Sequence, residues 1–134
     1  MHLEIVTPEK KIFSDTVNLV YLPGADGELG ILPMHSALIT ALAPGELRYE
    51  KGGSTQAIAI GNGFAEVTQE KISVLTDMAL GEDEIDEAKV EAAMKRAQDE
   101  LTAIGHGGDV EEIAYLQATI AKSLAQLKLK RRHH

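Results

Sequence analysis

The sequence predicts a chain in two parts, an all-β sandwich or barrel reaching to about residue 84 and an antiparallel pair of helices beyond it. Three observations carry this. Before that point, short runs rich in Val, Ile, Leu and Thr are broken by Gly, Pro, Asp and Asn, the pattern of consecutive strands with tight connections. After Leu80-Gly81-Glu82-Asp83-Glu84 the apolar spacing lengthens from two to about three and a half residues, the period of a helix. A Gly-rich break, Gly105-His106-Gly107-Gly108-Asp109, then divides the helical part in two.

Among the strands the clearest pieces are LEIVTP, TVNLVYLP, LRYEKGGSTQAIAIGNG and FAEVTQEKISVLTD. In the third, Tyr49-Glu50 and Thr55-Gln56 flank Lys51-Gly52-Gly53-Ser54, and the paired glycines supply the positive φ of a tight hairpin. Ala57, Ala59 and Gly61 then alternate with Ile58, Ile60 and Asn62, so one face carries small residues and is expected to pack closely against a sheet. In the fourth, Phe64 and Val67 precede a Gln69-Glu70-Lys71 turn and Ile72, Val74 and Leu75 follow it, a second hairpin. Val90, Met94, Ala97, Leu101 and Ile104 form the stripe of a first helix. Asp109 with Glu112 predicts a capping box that opens a second. This helix places Ile113, Leu116, Ile120, Leu124 and Leu127 on one side, with Ala114, Ala118, Ala121 and Ala125 beside them, where another helix is expected to approach. Neither stripe is broad enough for a core of its own, so the hairpin must lean on something else.

Composition narrows the function classes. At 134 residues, 44% hydrophobic and 25% charged, the chain is one ordinary folded domain or two small ones. The absence of cysteine removes a disulfide framework and a thiolate metal site. A net charge of -8, with no basic stripe before the tail, argues against a nucleic-acid surface. No apolar run approaches the ~18–20 residues of a membrane span, and MHLEIVTPEKK lacks the order of a signal peptide, so membrane association is expected only through a partner. The acidity belongs to the first part: residues 1–84 carry five basic and thirteen acidic residues, residues 85–134 eight of each.

The stretch GADGELGILPMHSALITALAPGEL, from Gly24 to Leu47, tests for chemistry. Its glycines recur every three residues, which matches neither the dinucleotide fingerprint nor the P-loop, and no Gly-Lys-Ser/Thr follows. His35 has only Ser36 beside it as a polar neighbour, and adjacency in sequence does not make a dyad. The stretch therefore reads as structure: Pro23-Gly24 and Asp26-Gly27 as turns, Ile31-Leu32 as a short strand ended by Pro33, and His35 as a partly buried hydrogen-bonding side chain. His2 and His106 are isolated in a terminus and a loop, and no catalytic residue or metal site is expected.

The order LPGADGELGILPMHSALITALAPGEL, then AIGNGFAEVTQEKISVLTDMA, then two Ala-rich helices resembles the epsilon-subunit family of the F-type ATP synthase, called delta in mitochondria. The resemblance covers essentially the whole chain. Its most specific elements are Pro23-Gly24, Gly27-Glu28, Gly30-Ile31-Leu32-Pro33, His35, and Gly63 to Val67 with Val74-Leu75. Met34 departs from it, standing where the family often has glycine. The resemblance implies a flattened β-sandwich of about ten strands over residues 1–84 and a regulatory helical hairpin over residues 85–134. It implies a non-catalytic central-stalk subunit coupling rotor to catalytic head in a proton- or sodium-translocating machine. The implied partners are the gamma subunit, the membrane c-subunit ring and, when the helices extend and inhibit ATP hydrolysis, the alpha and beta subunits. The implied location is the cytoplasmic face of a bacterial cell membrane, held peripherally through the complex. No cofactor is required.

Two sets of residues carry the regulatory part of the resemblance. Some relatives bind ATP through Ile/Leu-Asp-x-x-Arg-Ala at the start of the first helix; here Ile85 and Asp86 match, Lys89 replaces arginine and Val90 replaces alanine, with Arg96 two turns on. Lysine keeps the charge and loses the bidentate fork, so ATP is expected at most as a weak regulatory ligand. At the end of the second helix, Lys128, Lys130, Arg131 and Arg132 read either as a solvated terminus matched to the helix dipole or as contacts for acidic residues of the catalytic subunits. His133-His134 reads as a solvated tail with weak metal affinity at best. The alternative to a stalk subunit is a stand-alone β-sandwich that binds a small ligand or acts as a small hydrolase.

Overall fold

The structure, a computed structural model, describes residues 1–132; His133 and His134, and the metal-affinity reading attached to them, lie outside the described residues. Ten strands come first: β1 (His2–Val6), β2 (Lys11–Thr16), β3 (Leu19–Gly24), β4 (Gly27–Ile31), β5 (Leu38–Leu42), β6 (Gly45–Lys51), β7 (Ser54–Ile60), β8 (Gly63–Val67), β9 (Lys71–Thr76) and β10 (Ala79–Gly81). A 3-10 turn at Glu82–Glu84 leads to helices α1 (Glu87–Ile104) and α2 (Val110–Arg132). The predicted boundary near residue 84 falls in that turn.

Hydrogen bonding runs β10-β7-β6-β3-β5-β8-β9-β1-β2, with β4 added to β3. Between β3 and β5 it narrows to the single pair Gly24–Leu42, so the path folds into two five-stranded layers. Val20, Leu22, Leu47, Ile58 and Ile60 from the first layer meet Leu3, Ile5, Val67, Ile72 and Val74 from the second. Nearly all are fully buried, the inward set of strands whose side chains alternate between faces. β1 and β9 pair in parallel, and the other pairings are antiparallel.

The Lys51–Ser54 hairpin forms as predicted, with Gly52 at φ 57° and Gly53 at φ 79°, both in the left-handed region a two-residue turn demands. The Gly24 stretch differs in detail. Pro23 and Gly24 belong to β3 rather than to a turn, because Ala25-Asp26 alone closes the β3–β4 hairpin across the Gly24–Gly27 pair. The following strand starts earlier than expected, at Gly27, and stops at Ile31, leaving Leu32 outside it.

Ala57, Ala59 and Gly61 do not face a second sheet. The inner face of β7 is its isoleucine face, and the small face points outward to receive α2: Ala59, fully buried, packs with Ile85 and Leu129, ringed by Ala57, Met78, Leu80 and Val90. The helix stripe shifts to match. Leu116 and Leu127 are buried as predicted, but Leu124 is 53% exposed, and Ala125 and Leu129 are buried toward the sheet. Ala121 and Ala125 of α2 line a cleft against the sandwich, Ala114 stays exposed, and α1 packs alongside α2. Asp109 does cap α2, its carboxylate accepting from the Glu111 amide at 3.3 Å; no reciprocal bond from Glu112 completes a box.

Met34 is the one non-glycine residue among those described with a positive φ, 67°. It lies 69% exposed in the β4–β5 loop, so its side chain gains little packing to offset a left-handed backbone costing about 1–2 kcal/mol. Met34→Gly is therefore expected to stabilise the isolated chain by about 0.5–1 kcal/mol, after the added chain entropy of glycine, in urea unfolding. A loss of stability would show that the Met34 side chain carries packing its exposure conceals.

Candidate functional site

Two surfaces on opposite faces of the sandwich stand out. On the outer face of the second layer, the register places Ala41 beside Phe64, Phe64 beside Leu75 and Leu75 beside Val6, one apolar row across β5, β8, β9 and β1. Phe64 is 59% exposed and Leu75 56%, with Ile39 still more open next to the row. The neighbouring row is polar: Ile39 lies beside Glu66, Glu66 beside Ser73 and Ser73 beside Glu4, whose carboxylate pairs with Lys11 and Lys71. A band of large apolar side chains rimmed by charge is what a partner-binding face looks like. Sequence reading treated Phe64 and Leu75 as hairpin residues. The signal was their phase, since Phe64 and Val67 cannot share a face, nor can Val74 and Leu75.

On the outer face of the first layer sits the helical hairpin. Lys122 donates to Asp77 at 2.6 Å, Lys130 donates to the carbonyl of Glu82 at 3.2 Å, and Arg132 is ion-paired with Glu46 on β6. Arg131 points the other way, to Glu87 at 2.7 Å and to Glu91, tying α2 to α1. Its hydrogen bond to Glu87 raises the guanidinium pKa, so it stays charged throughout the working range. Of the four terminal cations singled out in the sequence, Lys128 alone is exposed with no partner among the described residues. Lys122, which sequence reading passed over, ties the middle of α2 to the sandwich.

The residues aligned with the ATP motif take ordinary structural places. Ile85 is 4% exposed in the contact with Ala59 and Leu129; Asp86 caps α1, accepting from the Lys89 amide at 3.2 Å; Lys89 and Arg96 are exposed. Clefts of about 650 and 580 Å³ flank the sheet side of α2, and none of the four lines either. Val90 packs on the Ile85 cluster instead of opening space beside Lys89.

The histidines make local bonds. His35 is half-buried, and its Nδ1 lies 2.7 Å from the carbonyl of Ser36, not from the hydroxyl. His2 is less isolated than expected, with Nε2 2.9 Å from the Ser14 hydroxyl on the exposed β1–β2 surface. Among the described residues no group of three His, Cys, Asp or Glu side chains could hold a metal. No helix among them is long and apolar enough to cross a membrane.

A ten-strand sandwich with an open apolar face and a docked helical hairpin defines a partner-binding subunit built for assembly. Residues 1–82 match the family model described as "ATP synthase, Delta/Epsilon chain, beta-sandwich domain", and the chain belongs to that family, the non-catalytic delta/epsilon subunits of rotary F-type ATP synthases. It is 48% identical over 118 residues to the ATP synthase epsilon chain of Desulforamulus reducens, covering 87% of this chain and 89% of that one. To the ATP synthase epsilon chain of Herpetosiphon aurantiacus it is 39% identical over 133 residues, 98% of each. Among solved structures, a chain in the Euglena gracilis mitochondrial ATP synthase, described as OSCP/F1/c-ring, shares the fold at a TM-score of 0.77 and 24% identity, over 98% of this chain and 80% of that one.

The packing of α2 yields a direct expectation. Leu129 is fully buried against Ala59, and truncating a side chain so placed costs about 2–5 kcal/mol. Leu129→Ala should loosen the hairpin while leaving the sandwich intact, seen as lower helical ellipticity at 25 °C with an unchanged late unfolding transition. Loss of both transitions together would mean that the hairpin and sandwich are one cooperative unit.

Proposed function

We propose that this chain joins the rotor of an F-type ATP synthase through the apolar row of its second layer, with the gamma subunit as occupant, and that its hairpin restrains ATP hydrolysis when it leaves the sandwich. The observation that supports this most is the separation of the two surfaces. The hairpin covers β6 and β7 and leaves Phe64, Leu75 and Ile39 open, so a partner on that face can stay bound whatever the hairpin does. Assembly and regulation are then independent functions of one small chain. The loops at the ends of the sandwich are left to meet the c-subunit ring, and the alpha and beta subunits meet α2 once it extends. Membrane association comes through the complex, at the cytoplasmic face in a bacterial cell.

ATP, in this reading, is at most a weak regulatory ligand. Lys89 and Arg96 offer single charges from exposed positions and Asp86 is engaged as a cap, so affinity in the millimolar class, about -4 kcal/mol, is what these residues can supply. Calorimetry on the isolated chain should show little heat below millimolar ATP. Micromolar affinity would contradict this placement of the residues.

The partner face is tested by Phe64→Glu. At 59% exposure the side chain contributes little to folding, so stability should change by no more than about 0.5 kcal/mol. Gamma binding should weaken at least about thirtyfold, the loss of a hot spot worth about 2 kcal/mol or more. Removal of residues 85–134 should have the opposite pattern, preserving gamma binding and raising ATP hydrolysis by complexes of matched subunit content. Full gamma binding by Phe64→Glu would move the partner off this face; unchanged hydrolysis after the deletion would remove the inhibitory role.

A further inference from the structure

We propose that the sandwich carries a two-point acidic socket, Asp77 for Lys122 and Glu46 for Arg132, that holds the hairpin down and rations these cations to an external acidic partner. The proposal rests on the reading that α2 meets acidic surfaces of the catalytic head, and it deepens that reading by naming what competes. The first point is built into the strands. Lys122 and Asp77 close directly over Gly61, where a Cβ would overlap the carboxylate and lie 3.1 Å from Lys122 Cε. The Gly61 amide donates a hydrogen bond to the buried Thr76 hydroxyl at 3.1 Å, and that hydroxyl lies 3.0 Å and 3.1 Å from the carbonyls of Asn62 and Met78. Asp77 thus projects from backbone fixed on both sides.

The second point lies ten residues along α2, about 15 Å, with Leu129 between the two. Glu46 neighbours Ala59 across β6 and β7 on the same outward face, and its side chain is only 12% exposed. Its Oε1 is fully buried and accepts no hydrogen bond, so the ion pair with Arg132 is the contact that offsets its charge. Such a carboxylate is asymmetric in its demands: solvated when the hairpin is away, it needs a cation when α2 covers it. Removing Arg132 therefore harms docking more than removing Glu46 does. An acidic partner that takes Lys122 and Arg132 must displace Asp77 and Glu46, and Lys128, exposed beside them, is the cation it reaches first.

The chain has no cysteine, so Glu9→Cys with Gln117→Cys, both at exposed sites, places one spin-label pair across the sandwich and α2 of the full chain. Pulsed electron resonance then reads the docked and undocked populations. Asp77→Asn should raise the undocked-to-docked ratio about threefold and Asp77→Asn with Glu46→Gln about tenfold, the scale of exposed to part-buried ion pairs. Arg132→Gln should exceed Glu46→Gln. Raising salt from about 0.1 to about 1 M, which shortens the screening length from about 10 to about 3 Å, should undock the unsubstituted chain and barely move the double variant. Exchanging the charges, Asp77→Lys with Lys122→Asp, should restore docking. Equal populations across variants and salt would overturn the socket and leave docking to Leu129 alone. Hexaglutamate peptide supplies the second arm: tighter binding to the double variant supports rationing, whereas shifted populations with no peptide binding overturn the acidic-partner reading and keep the socket.

Discussion

The contact of Leu129 with Ala59 decides where the helical hairpin sits on the sandwich. α2 lies on the outer face of β7, where Ala57 and Ala59 present small side chains while the strand's isoleucines fill the core. That division lets one strand serve two packings at once. The apolar area at the second packing is modest: Ala59, Ile85 and Leu129 buried, with Ala57, Met78, Leu80 and Val90 partly buried around them, against a sandwich core built from two complete inward faces. Burial of a leucine contributes about 1.5–3 kcal/mol, so the hairpin's hold is of the size of a few such contacts and sits far below that of the sandwich.

From that inequality the functional anatomy follows. The sandwich carries an exposed apolar row, set by the registers of β1, β5, β8 and β9, on the face away from the helices. The hairpin is a second unit joined through the short passage from the 3-10 turn at Glu82–Glu84 to the cap at Asp86. Within it, Arg131 bridges to Glu87 and Glu91 and keeps the two helices together, while Arg132 and Lys122 bridge outward to the sandwich. Adjacent cations therefore do different things: one holds the hairpin as an object, its neighbour holds that object in place. Charges at part-exposed sites suit this task, because their net contribution is small and is tuned by surroundings.

Much of the fold was legible in residue order. The change from period two to period three and a half marked the passage from strands to helices, and Gly52-Gly53 located a hairpin, because both signals are local and need no partner in space. The destination of the small face of β7 was not legible, since alternation says that Ala57 and Ala59 share a face but not what covers it. The same limit misplaced Leu124 and hid Leu129: a helix with leucine at 116, 124, 127 and 129 has more than one arc to bury, and only the sheet's position chooses. The apolar row was half legible, in the outward phase of Phe64 and Leu75. The ion pairs were not, because Asp77 and Lys122 are 45 residues apart and nothing in either neighbourhood points to the other. The family resemblance supplied the class of machine, which the residues of this chain taken one by one do not state.

The docked hairpin is expected to open at a lower free energy than the sandwich that carries it. Native-state hydrogen exchange on the full chain, read amide by amide across a denaturant series, tests it most directly. Two families of amides are predicted: those of β5, β8 and β9 opening only with global unfolding, and those of α1 and α2 opening at a distinctly lower free energy with a smaller denaturant dependence. A single shared opening free energy for helices and strands would contradict the account and make the hairpin an integral part of one cooperative fold.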